Sequence, residues 1–161
     1  MRGIIVTLIL MIFVPSAGAG LPASLEGDWV LVEQQYGQGA RNILGDELPV
    51  RLSIRLGTGG PAVMIRAGDY AAVPWPVWIG PEGPTAVELR ERSVDLASGT
   101  AHSRFTLNSP ADPGFVFHVE EEYRLTPEGN ALVGTMTVSF QRNGEPRGSF
   151  VLTSRFERAE P

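Results

Sequence analysis

The chain has no cysteine and no lysine, and each absence narrows what it can be. Without cysteine there is neither a disulfide nor a thiol for lipid attachment, so a hydrophobic core must hold the fold unaided. Without lysine every basic residue is arginine, a compositional bias to which no functional weight attaches. There is also no Gly-x-Ser-x-Gly elbow and no Gly-rich phosphate loop. With the thiol missing as well, the usual sequence signs of nucleophilic catalysis and of nucleotide binding are gone. Helical periodicity is sustained nowhere, and no cluster of residues specifies a cofactor.

What is present begins with a leader. Met1 and Arg2 give a short positive start, Gly3 to Val14 an uncharged apolar run, and Pro15-Ser16-Ala17-Gly18-Ala19 a small-residue stretch of the A-x-A type. A membrane-spanning helix needs about 20 apolar residues, more than this run supplies. The pattern predicts a signal peptide over 1–19, cleaved near Ala19, and a mature domain over 20–161 that is periplasmic or secreted with no stable membrane anchor. Removing Arg2 leaves 12 arginines against 18 acidic residues, a formal charge near −6. That sign argues against nucleic acid as a partner. The mature length suits one domain, since chains of about 100 to 200 residues usually form one.

Gly and Pro recur at close intervals, and alternating apolar and polar runs lie between them, as in strands joined by tight turns. In Val50 to Leu56, residues Val50, Leu52, Ile54 and Leu56 share one face while Arg51, Ser53 and Arg55 share the other. The turn Gly57-Thr58-Gly59-Gly60 then predicts a hairpin with Ala62 to Ala67. Phe115 to Leu125, Leu132 to Phe140 and Ser149 to Arg158 predict a meander of three strands. Asp28 to Gln35 reads as a first strand and Ala101 to Leu107 as another. The apolar parity of Pro84 to Ala97 flips near Glu91 to Ser93, which predicts a bulge or turn. Two prolines in Val73-Pro74-Trp75-Pro76-Val77-Trp78 confine that stretch to an edge or a loop. The sum is an all-β domain of about eight strands, an antiparallel up-and-down β-barrel, with a β-sandwich as the alternative.

Gly27-Asp28-Trp29 at the head of the first strand, together with an arginine in the last strand, resembles the lipocalin (calycin) arrangement. The resemblance implies that Trp29 closes the base of the barrel and that an arginine lies across its ring as a cation over a π face. Parity selects Arg158, which continues the face of Phe150, Leu152 and Phe156, over Arg155, which opposes it. The family's Thr-Asp-Tyr motif is missing, and Gly68-Asp69-Tyr70 sits too early to replace it. Gly27, Trp29 and Arg158 are therefore structural residues in this reading.

Candidate binding residues follow from the faces. Phe115, Phe117, Val119, Tyr123 and Leu125 point one way, and Glu121 interrupts them. An inward acid must be neutralised, paired with arginine or placed at a wet rim, and the last two are the structural readings of Glu121. Its functional reading is a polar anchor for a ligand with a cationic or hydroxyl head. On the opposite face His118, Glu120 and Glu122 have a spacing that a metal accepts, with His102 the only other imidazole. A solvated face is the preferred explanation, since charged residues on an exposed strand face need no ligand, and no metal is assigned. Ser103 adjoins His102, but strand neighbours point to opposite faces, so the pair is not a catalytic one. Tyr70, Trp75 and Trp78 lie on a proline-stiffened stretch and either form a lid at a cavity mouth or cover the core. The expected function is binding of a small apolar or amphipathic ligand by Met136, Phe117, Val119 and Glu121, with Trp75 and Trp78 at the entrance, without cofactor or enzymatic activity. The alternative is a protein-protein interaction module, an inhibitor or assembly factor, that uses an exposed Trp75 and Trp78 patch.

Overall fold

Alternation of apolar and polar residues commits each segment to a two-faced ribbon, and the apolar faces must find one another. A computed structural model describes residues 24–37, 50–80, 83–109 and 112–160; the predicted leader lies outside them. The strands are β1 (Gly27–Tyr36), β2 (Val50–Gly57), β3 (Gly60–Ala67), β4 (Val73–Pro74), β5 (Trp78–Gly80), β6 (Gly83–Thr85), β7 (Glu88–Asp95), β8 (Thr100–Asn108), β9 (Phe115–Leu125), β10 (Ala131–Arg142) and β11 (Glu145–Arg158). No helix occurs among the described residues.

Nine strands form one antiparallel sheet in the order β4-β3-β2-β1-β11-β10-β9-β8-β7, curled into a half-barrel. Every neighbour is a neighbour in sequence except β1 and β11, so the connectivity is up-and-down, and one sheet stands where a sandwich has two. The sheet stops at β4 and β7, and between them the chain makes the separate ribbon β5-β6. Both edges are poor templates for further pairing. β4 has two residues, one of them proline, and β7 exposes Glu88, Arg90, Glu91, Arg92 and Asp95. Charge and proline on an edge discourage strand addition.

The predicted meander is β9-β10-β11, and the predicted hairpin is β2-β3, with Gly57 opposite Gly60. The parity flip appears as a bulge between Leu89 and Glu91. One expectation is corrected: Leu56 does not share the core with Val50, Leu52 and Ile54 but is 62% exposed. β1 begins at Gly27, opposite Ile54, so no first-strand residue stands beside Leu56.

Trp29 seals one end. Its ring is fully buried, its Nε1 donates to Leu25 O at 3.0 Å, and the Arg158 guanidinium lies 4.3 Å from the ring centroid. Arg158, rather than Arg155, is the stacking residue, as its parity required. Its Nη2 donates to Ser24 O and its Nη1 to Glu26 O, so the same group holds the segment ahead of β1. Gly27 has φ of 149°, and a Cβ there would stand 2.5 Å from Arg158 Nη1. The glycine before the tryptophan thus makes room for the guanidinium that covers it.

Above this plug, Tyr123 of β9 packs edge-on to Trp75 at 5.9 Å and to Phe156 at 5.7 Å. Its ring runs across Gly134 of β10, where a Cβ would meet ring carbons at 2.8 and 2.9 Å. A ring wedged between two others has nowhere to go. Gly134→Ala is expected to destabilise the fold by about 1–3 kcal/mol, the usual range for overpacking. A chemical-denaturation midpoint unchanged from wild type would contradict this wedge.

Candidate functional site

The inner face of β9 is apolar except at Glu121, which is 2% exposed. Antiparallel register sets Ser103 of β8 on one side of it and Met136 of β10 on the other. Ser103 belongs to the inward row Ala101, Ser103, Phe105 and is fully buried. The third neighbour comes from across the half-barrel. Trp75 follows β4, donates its backbone N–H to Val63 O at 3.0 Å, and sends its indole inward with 1% exposure.

Trp75 Nε1 donates to Glu121 Oε2 at 2.8 Å, and Ser103 Oγ donates to the same oxygen at 3.1 Å. Burial pushes the Glu121 carboxyl up to about 7, against the two hydrogen bonds, which favour the charged form. Burial, and secondarily the nearby Glu121 charge, raises the Tyr123 phenol well above its ordinary value. The Trp75 carbonyl is also engaged, accepting from Arg92 Nη1 of β7 at 3.2 Å. One residue therefore links the two unpaired edges of the sheet, by its indole through β9 and by its carbonyl to β7.

Glu121 and Met136 border an interior cavity of about 40 Å³, with Tyr123, Gln34 and Ser154 as the other polar-bearing walls and Val50, Ile65, Val77, Ile79 and Leu152 among the apolar ones. Gln34 Nε2 donates to Ser154 Oγ at 3.3 Å, and Gln34 Oε1 accepts from Tyr36 Oη at 2.7 Å. No arginine or histidine lines the cavity. Beyond Met136, toward the end opposite Trp29, lies a second core of Phe105, Val119 and Val138, with Trp78, Phe117 and Phe150 half-buried against it. There Phe117 stacks on Trp78 at 5.8 Å, and Phe115 stacks on Phe140 at 5.5 Å.

The predicted residues therefore separate. Glu121 and Met136 line the cavity, while Phe117, Val119 and Trp78 belong to the second core. Of the two placements open to Trp75, the structure takes the core. Tyr70 is 39% exposed, and its ring lies against Gly83 of β6, away from the cavity. Both structural readings of Glu121 are corrected: among the described residues it has no arginine partner, and it is not at a wet rim, because neutral donors from β8 and from the segment after β4, with a raised carboxyl, suffice. Sequence reasoning missed Ser103 as a site residue. Its signal was a lone hydroxyl on an otherwise apolar face, in a strand pairing with the one that carries Glu121.

On the outer face Glu120 accepts from Arg104 Nη2 at 3.1 Å and lies 3.3 Å from His102 Nε2, while Glu122 accepts from Arg124 Nη2 at 2.8 Å. Hydrogen bonds from Arg104, then His102, hold the Glu120 carboxyl below its ordinary value. His118 is exposed beside a hollow of about 250 Å³ that Arg90 and Arg104 also border. Glu120 borders that hollow with His118 but Glu122 does not, so the three do not converge on one concavity and sit on a face of crossing ion pairs. Compared with family models, curated proteins and solved structures, the chain gives no match.

Proposed function

We propose that this half-barrel is an exported, lipocalin-like binding protein for a small amphipathic molecule, held in the interior beside Glu121. The observation that supports the reading is a buried carboxyl with no cationic partner among the described residues, at the wall of an otherwise mostly apolar cavity. Acids almost never sit fully buried without a charge partner or a role. The cavity holds a few waters at most, whereas sites for drug-sized ligands span about 300–1,000 Å³. Only the head of a ligand fits there as the side chains stand, and the body must displace something. Met136 is the residue to move, since it borders both the cavity and the second core. Its unbranched thioether changes rotamer at little cost.

The interaction-module alternative rests on Trp75 and Trp78 being exposed together. With Trp75 at 1% exposure that support is lost. Native mass spectrometry of the protein recovered from its own host is expected to show the chain carrying a small-molecule mass increment, and Glu121→Gln is expected to abolish or sharply reduce it. A bare chain, or a chain bound to another protein, would overturn the reading.

A further inference from the structure

We infer that the ligand of this site carries one compact cationic head, a primary ammonium, and that anionic amphiphiles are excluded; the inference rests on the binding role proposed above. Both donors to Glu121 converge on Oε2, and no described residue donates to Oε1. Among the described residues no fully buried side-chain oxygen or nitrogen lacks a partner. Oε1 is therefore the oxygen that reaches the cavity. Among the described residues that line the cavity beside it, none carries a positive charge. Gln34 has spent an amide hydrogen on Ser154, and its oxygen faces the Tyr36 hydroxyl. The guanidinium of Arg92 is occupied with the Trp75 carbonyl.

The complement of an ionised carboxylate oxygen is a group that donates only, and an ammonium offers three donors and no acceptor. A cation also relieves the cost of ionising Glu121 in a dry interior, which neither neutral donor removes. A carboxylate head would instead bring a like charge to a site with nothing to neutralise either. Size agrees, because about 40 Å³ admits an ammonium and the first carbon of a chain and little more. The rest of an alkyl chain would run past Met136 toward the rings of Trp78 and Phe117, which are only half-buried.

Each element packed on Glu121 supplies a known group. β8 supplies Ser103, the segment after β4 supplies Trp75, with Arg92 of β7 on its carbonyl, and β10 supplies Met136. Across the cavity β1 supplies Gln34 and β11 supplies Ser154, while β9 itself adds Tyr123. Of these lining groups only Glu121 ionises near neutrality, so binding of a cation should develop with its ionisation.

The test is isothermal titration calorimetry of the whole protein with octylamine, octanol and octanoate at about pH 8 and about pH 5.5. Octylamine is expected to bind at least about tenfold more tightly than octanoate at the higher pH, and to lose most of that preference at the lower one. In Glu121→Gln the amine should fall to the affinity of octanol, with octanol itself unchanged. Should that variant fail to fold, Ser103→Ala serves instead. Removing one bond to the carboxylate should move the onset of amine binding to higher pH. Octanoate binding as tightly as octylamine, or amine binding indifferent to pH, overturns the ammonium assignment and leaves the binding role standing. Failure of all three probes overturns the binding role as well.

Discussion

Replacing Trp29 with alanine is expected to lower the unfolding free energy by roughly 3–5 kcal/mol, the range for large aromatic residues lost from a core. The ring is fully buried, and its removal leaves the Leu25 carbonyl without its indole donor and Arg158 without the face it covers. Because Arg158 also donates to Ser24 O and Glu26 O, the loss spreads to the segment ahead of β1. Trp29→Phe is the useful companion: it keeps much of the apolar area, forfeits the N–H, and should lose less than half as much. Urea denaturation followed by far-UV circular dichroism gives both values. A deficit below about 1 kcal/mol in the alanine variant would mean that Trp29 is not the seal of the barrel.

The second large effect concerns pH. Glu121 ionises at about 7 in the folded protein, against 4.5 for the ordinary carboxyl. The folded state therefore binds the proton more tightly than the unfolded state. The stabilisation that follows is fully present below the unfolded value and is lost as pH rises through about 7. Its size is on the order of 3 kcal/mol, at about 1.4 kcal/mol for each tenfold change in proton affinity. Glu120 and Asp28 slope the other way, because hydrogen bonds lower both carboxyls and their contributions fade as pH falls. Both are exposed, so their share is small. The difference between wild type and Glu121→Gln isolates the buried group. We expect wild type to lose stability relative to the variant as pH rises from 4.5 to about 7. Parallel curves across that interval would show that Glu121 does not ionise in the interior as described.

Much of this architecture is legible in the sequence because it depends on local period. The faces of β2, β9 and β10 follow from alternation, the β2-β3 turn from its glycines, and the choice of Arg158 over Arg155 from parity alone. What resists such reading is contact between distant segments. Nothing in Val73 to Trp78 says that Trp75 turns inward to meet an acid 46 residues away. The prolines predicted an edge correctly, but proline fixes the backbone and is silent on where the next side chain points. Glu121 was visible as an anomaly on an apolar face, and anomalies show that a partner is needed without naming it. Leu56 fails for a related reason: alternation reports which residues share a face, not how far the neighbouring strand extends beside them.

The pairing of β1 with β11 has a consequence for how the molecule assembles. Trp29 is opposite Arg158, so the two strands that form the middle of the sheet are the farthest apart along the chain. Closing a loop of that length must precede any reward from the contact, which makes topologies of this kind slow to fold. Until β11 has been made, β1 lacks its neighbour on that side, although β2, β3 and β4 can already pair with one another. The two halves of the sheet, β1 to β4 and β7 to β10, thus stay unjoined until β11 lies between them.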